Sequence, residues 1–302
     1  GIRDRSPSRG LGDVYKRQHN GFDVDQKLAS ILDNVDVILT GHTHDAIPRA
    51  IKIKNTLLLS SGSHGKYLGR IDLKVDNGKV VDFSSNLIPI FSDVIQPDPE
   101  MTRLIDKIRE PYEEECNRVV GEAETLLYRR GNFGGPWDSV ICDAIIQERD
   151  TEISLSPGFR WGTTLLPGQK ITIDDIYSQT SMNYPEVYRT EMNGETIKNL
   201  LEDVCDNIFN PDPFFQQGGD MVRVGGMTYT CQPKETMGNR ISDLKLSNGE
   251  KIESQKNYTI GGWGSINPEV EGPPIYKLLE DYVSGEKIIK PKHNNPVKIK
   301  GI

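Results

Sequence analysis

Two of the chain's five histidines stand one residue apart in "DVILTGHTHDAIP" (residues 36–48), directly after the apolar run Val37–Leu39 and Gly41. In this spacing His42 and His44 leave one stiff loop in similar directions. That suits a pair of neighbouring divalent metals, each taking one imidazole nitrogen. Two metals roughly 3.5–4 Å apart can hold a bridging hydroxide and clamp a tetrahedral anion for in-line attack. Gly41 lets the backbone turn sharply into the loop. The competing reading of an isolated His-X-His is a pair of surface or core histidines with no ligand. His64, in "SSGSHGKYLG", is a candidate for support behind such a site, for a substrate contact, or for neither, and His293 in "KPKHNNP" reads as a solvated tail residue.

The elements that must position these side chains follow from periodicity. "DVDQKLASILDN" places Val24, Leu28, Ile31 and Leu32 on one helical face. "VDVILT" then reads as a short buried strand ending at Gly41. Helix, strand and a ligand-bearing loop at the strand's C-terminal end form a piece of a layered α/β architecture. Strands follow in "AIKIKNTLLLSSGSHG" and "LGRIDLKVDNGKVVDFSSNLIPI", the latter turned at Asp76-Asn77-Gly78, where Asn and Gly tolerate positive φ. "FSDVIQPDPE" reads as a linker, and "PEMTRLIDKIREPYEEEC" as an amphipathic helix broken or kinked at Pro111. Beyond it, short strands and helices alternate with Gly/Pro turns. Among them "NGETIKNLLEDVCDNIF" is a helix with Ile197, Leu200, Leu201 and Val204 on its apolar face.

At 302 residues the chain has room for two domains. A formal charge of -8 argues against nucleic acid as a partner, since phosphate neutralisation needs a basic face. An anionic substrate would have to be drawn in locally, by metals or a few arginines. No apolar run reaches the roughly 18 residues of a membrane span. Cys116, Cys142, Cys205 and Cys231 form no CxxC pair and read as buried free thiols, although sequence alone does not decide whether two are bridged. Residues 1–18 break in composition from "HNGFDVDQKLA" and read as a non-native or disordered leader, to be set aside from the fold.

"GHTH" after "VDVILT", with "HNG" upstream, resembles the calcineurin-like metallophosphoesterases of the 5'-nucleotidase branch. The resemblance implies His19 and His42 as ligands of one metal and His44 as a ligand of the other. It also implies earlier ligand motifs that this chain lacks, so the chain is expected to be an N-terminally shortened form without a competent dimetal site of its own. The expected fold is α/β and α+β: the C-terminal part of a metallophosphoesterase sandwich over residues 19–95, a linker helix over 96–116, and a 5'-nucleotidase-like C-terminal substrate-binding domain over 117–302.

Where nucleotidases carry an "NGGxxR"-like turn this chain has "LSPGFRWG", and in place of "NGGDGF" it has "GGWGSINPEVEGPPIY". "NFGGPWDSVICDAI", "SPGFRWGTTLLPGQKIT" and "QQGGDMVRVGG" instead resemble the SoxB thiosulfohydrolases. That resemblance implies hydrolysis of a cysteine S-thiosulfonate on the Sox carrier protein, sulfate as product, two manganese ions and a periplasmic location. Arg160 and Arg223 are then candidates to hold the sulfonate, because a guanidinium offers forked donors to paired anionic oxygens. The competing reading of Arg160 is a structural salt bridge, and the alternation in "MVRV" leaves open whether Arg223 faces outward. Asp220 could orient an arginine or cap the Gly turn. Gly218 and Gly219 would let backbone approach a carrier arm closely. Two further readings stay open: a 5'-nucleotidase releasing phosphate from nucleotides, and a C-terminal domain that binds without turnover.

Overall fold

The computed structural model describes residues 15–17, 20–265, 270–292 and 296–301. Contacts divide the chain into two compact units. The first comprises the residues up to Arg103 together with Asn210–Gly218, so the division is not sequential.

In the first unit, β1 (Tyr15–Arg17), β2 (Val37–Thr40), β3 (Ile51–Ile53) and β4 (Thr56–Ser60) form one sheet of order β1-β2-β4-β3. β1, β2 and β4 are parallel, and β3 closes the edge antiparallel to β4. Helix α1 (Phe22–Ile31) covers this sheet: Ala29 packs with Val35, Ile38 and Leu58, with Phe22, Leu28 and Leu32 around them. The strand at residues 15–17 departs from the expectation of a leader wholly outside the fold. An uncovered strand edge presents unpaired N–H and C=O groups, so an extended segment gains a full ladder by adding to β2. Strands β5 (Tyr67–Asp76) and β6 (Lys79–Pro89) make a separate hairpin. Its two-residue turn puts Asn77 and Gly78 at φ 49° and 75°, the left-handed pair a type I′ turn requires.

Helix α2 (Pro99–Arg109) ends where Pro111 forces a short 3₁₀ turn before α3 (Glu113–Cys116), as the sequence anticipates. The second unit holds β7 (Val119–Ala123), α4 (Pro136–Arg149), β8 (Ile153–Ser156), β9 (Lys170–Thr172) and α5 (Ile173–Thr180). β10 (Val187–Asn193), α6 (Gly194–Phe209), β11 (Arg223–Gly225), β12 (Met227–Cys231), β13 (Ile241–Leu246) and β14 (Asn257–Trp263) follow. α7 (Ile275–Glu286), β15 (Ile288–Ile289) and β16 (Val297–Ile299) complete it. The central sheet has order β10-β14-β8-β11, with β14 and β8 parallel. Three-stranded sheets β13-β12-β16 and β15-β7-β9 accompany it.

Two apolar clusters consolidate this unit. One joins Trp137, Ile141 and Ile145 of α4 to Leu279 and Val283 of α7; the other joins Ile197, Leu201 and Cys205 of α6 to β8, β12 and β14. The face of α6 read from sequence is the one that packs, started by Asn193 Oδ1, which accepts from Thr196 N at 2.8 Å. The mixed α/β architecture expected from the sequence is the one observed.

Candidate functional site

The histidine loop leaves the C-terminal end of β2, and both histidines adopt left-handed backbone, His42 at φ 67° and His44 at φ 57°. For residues other than Gly this region costs of order 1 kcal/mol or more each, and such strain gathers at functional loops. Thr43 ties the loop to α1 by accepting from Phe22 N through its hydroxyl at 3.2 Å. His64, also at positive φ, sets its ring edge-on to His44 with centroids 6.2 Å apart.

The His42 ring is fixed by the segment Asn210–Gly218. Its Nε2 lies 3.1 Å from the carbonyl oxygen of Gln217. A carbonyl only accepts, so Nε2 is the donor in this contact. Gly218, at φ 75°, lies so close that a Cβ there would come within 2.5 Å of the ring. The segment is itself anchored on α1: Lys27 pairs with Asp212 and sits 4.3 Å over the Phe214 ring, while Asp212 accepts from Phe214 N. Close approach is therefore what Gly218 provides, toward a histidine. Gly219, at φ 87°, has open space where a side chain would be.

Asp25 is a residue that sequence reading passed over. It is fully buried on α1, and burial pushes its carboxyl above the usual range, with Thr40 and Asn20 pulling part of the way back. Its signal in the sequence is an acid three and seven residues before Leu28 and Leu32, on the helix's apolar face.

His19 lies outside the described residues, as does His293. Among the described residues no three His, Cys, Asp or Glu side chains converge as a metal ion would need. His42 and His44 alone do not fit a two-metal centre.

The arginine candidates lie together in the second unit, within a buried ionic network. Asp220 accepts from Arg160 Nε and from Arg223 Nη2, both at 2.8 Å. Arg160 also donates to Asn132 Oδ1. Arg223 Nε stands 3.3 Å from Asp138, which in turn accepts from Arg129 Nε at 2.8 Å. Asp220 thus orients both arginines, one of the two roles its sequence left open. Arg223 faces inward and is 2% exposed, whereas Arg160 keeps 19% of its side chain exposed. Nearby, Phe159 and Trp161 stack on each other at 3.8 Å, and Trp137 is a core residue. Arg129 was missed because nothing local distinguishes it from its neighbour Arg130.

Residues 119–265 match the family model of the 5'-nucleotidase, C-terminal domain. Over the longer span, the chain is 26% identical across 248 residues to the trifunctional nucleotide phosphoesterase YfkN of Bacillus subtilis, covering 78% of this chain and 16% of that protein. It is 26% identical to a 5'-nucleotidase of Diplobatis ommata over 47% of this chain and 28% of that one. Among solved structures, the sulfate thiohydrolase SoxB of Thermus thermophilus superposes with TM-score 0.89 at 32% identity, covering 94% of this chain and 54% of its own. A 5'-nucleotidase precursor of Thermus thermophilus shares the fold, with TM-score 0.77 at 16% identity over 95% of this chain and 63% of its own. The homologues are hydrolases of the 5'-nucleotidase and SoxB kind, and the chain spans about half of the SoxB chain and less of the curated relatives. No helix among the described residues is long and apolar enough to cross a membrane.

Proposed function

We propose that the chain serves the hydrolytic release of sulfate from a cysteine S-thiosulfonate carried on a Sox-type carrier protein, in the periplasm. The observation that carries this reading is the Arg160 guanidinium. It is braced by Asp220 and Asn132 yet partly open to solvent, and so is set to meet an anionic group. A sulfonate presents paired oxygens that match the guanidinium fork. Asp220 and Arg223 hold the fork's orientation, and Gly219 leaves room for an extended carrier arm. The 32% identity to a sulfate thiohydrolase supports the sulfur substrate. His42 and His44, with His19, are the proposed metal-binding residues, and two manganese ions would need donors beyond the described residues.

A nucleotidase reading has its own support in the names of the curated relatives and in the half-buried Phe159–Trp161 pair, aromatic surface of the kind on which a base stacks. The two are separated by binding, with a thiosulfonate-bearing cysteine peptide and AMP set in competition for the chain. Displacement of AMP by the peptide is expected; AMP binding undisturbed by the peptide would transfer the reading to nucleotides.

A further inference from the structure

Cys205 and Cys231 bring their sulfurs together inside the second unit, with Sγ···Sγ at 3.6 Å. Cys205 continues the buried stripe of α6 that begins with Ile197 and Leu201, and Cys231 ends β12. Both side chains are fully buried, in one apolar cluster with Met227, Tyr229 and Ile241. The structure shows the pair as two thiols. A disulfide holds its sulfurs about 2.05 Å apart, so each sulfur has to move by less than about 1 Å to reach it. The chain between the two cysteines gives the contact its interest. It leaves the second unit after Phe209, joins the first unit as Asn210–Gly218 and returns from Gly219 onward. On its return it supplies Asp220 and Arg223 to the buried ionic network. The far end of this excursion is pinned by Lys27 and His42. Its base is where the two sulfurs meet.

We infer that Cys205 and Cys231 are a disulfide-forming pair, oxidised by thiol–disulfide exchange to a covalent clasp across the base of the Asn210–Gly218 excursion. In the first step one cysteine thiolate attacks a sulfur of a small disulfide such as glutathione disulfide. That gives a mixed disulfide and releases one glutathione, which takes up the proton the cysteine gave up. The second cysteine thiolate then attacks the first cysteine's sulfur and expels the second glutathione. Overall the two protein thiols lose two electrons and two protons, and the oxidant disulfide gains them. Both sulfurs are shut off from solvent in the folded chain, so the exchange belongs to folding, before α6 packs over β12. Closing a loop between positions 26 apart then restricts the unfolded chain, which stabilises the folded one. This inference stands apart from the proposed activity. Disulfides persist in oxidising compartments such as the periplasm, but the test supplies the oxidant itself and does not depend on location.

The test refolds the whole chain from urea in two ways, with reductant alone and in a buffer of glutathione and glutathione disulfide. Under reductant the chain is the dithiol form of the structure, and all four thiols react once it is unfolded. After oxidising refolding, only the thiols of Cys116 and Cys142 are expected to react on unfolding, and mass spectrometry of the digested chain should find Cys205 linked to Cys231. The thermal transition of the oxidised chain should lie roughly 5–10 °C above that of the reduced one. In Cys231→Ala that difference should vanish; if this variant does not fold, the thiol count and the peptide link in the parent still decide. All four thiols reactive after oxidising refolding, a link to Cys116 or Cys142 instead, or a Cys205–Cys231 link that lowers the thermal transition would each overturn the assignment.

Discussion

Replacing Asp220 by Ala removes the one carboxylate shared by Arg160 and Arg223. Arg223 is left almost wholly buried with, among the described residues, Asp138 and the Gly131 carbonyl oxygen facing it. Removing one partner of a buried ion pair costs about 3–5 kcal/mol, because the remaining charge stays desolvated. Arg160 adds little to that sum, since its partial exposure lets water replace the lost carboxylate. Asp220→Asn keeps one acceptor oxygen and loses the charge, so a loss of about 2 kcal/mol is expected. In Asp220→Ala combined with Arg223→Met the orphaned charge is gone, and the pair of changes should cost less than the sum of the two alone. Urea unfolding followed by tryptophan fluorescence reads this directly, because Trp137, Trp161 and Trp263 all lie in the second unit. The midpoint should fall with unchanged slope. A cost below about 1 kcal/mol for Asp220→Ala, or strict additivity in the double variant, would refute the view of a desolvated, mutually dependent network.

Three further outcomes follow from particular contacts. Gly218→Ala places a Cβ 2.5 Å from the His42 ring at φ 75°, so it should cost about 1–2 kcal/mol and shift the His42 ring resonances in NMR. Asp25 has its carboxyl raised in the folded state, so the folded chain binds that proton more tightly than the unfolded one. Stability of the first unit should therefore be fullest below the unfolded pKa and fall as pH rises through the folded value, a decline that Asp25→Asn removes in native-state hydrogen exchange. Burial pushes the Cys142 thiol up to about 12, and Cys205 and Cys231 are also buried, so a thiolate-specific reagent at neutral pH should label Cys116 first and the others only on unfolding.

Local signals carried well from sequence to structure. The α1 face, the β2 strand, the Asn77-Gly78 turn and the start of α6 each rest on side chains within a few positions of one another. What stayed hidden depends on partners far along the chain. Arg223 sits in a three-residue strand, too short for alternation to tell inside from outside, and its direction is set by Asp220 and Asp138. The segment Asn210–Gly218 follows α6 directly in the chain, yet it clusters with the first unit because Lys27 and His42 hold it. Asp25 breaks an apolar pattern, which marks it as unusual without saying what surrounds it. His42 and His44 stood out by spacing as candidate ligands, but a ligand set is a three-dimensional fact, and among the described residues no three donors converge.

On the proposed reading the Arg160 site recognises a sulfonate on a carrier cysteine rather than a nucleotide. Calorimetric titration of the chain with a thiosulfonate-bearing cysteine peptide and, separately, with AMP tests it most directly, in the parent and in Arg160→Ala. Tighter binding of the peptide, weakened about tenfold or more by Arg160→Ala, is the predicted result, as for a lost charged hydrogen bond. Tighter binding of AMP, or peptide binding indifferent to Arg160, would contradict it.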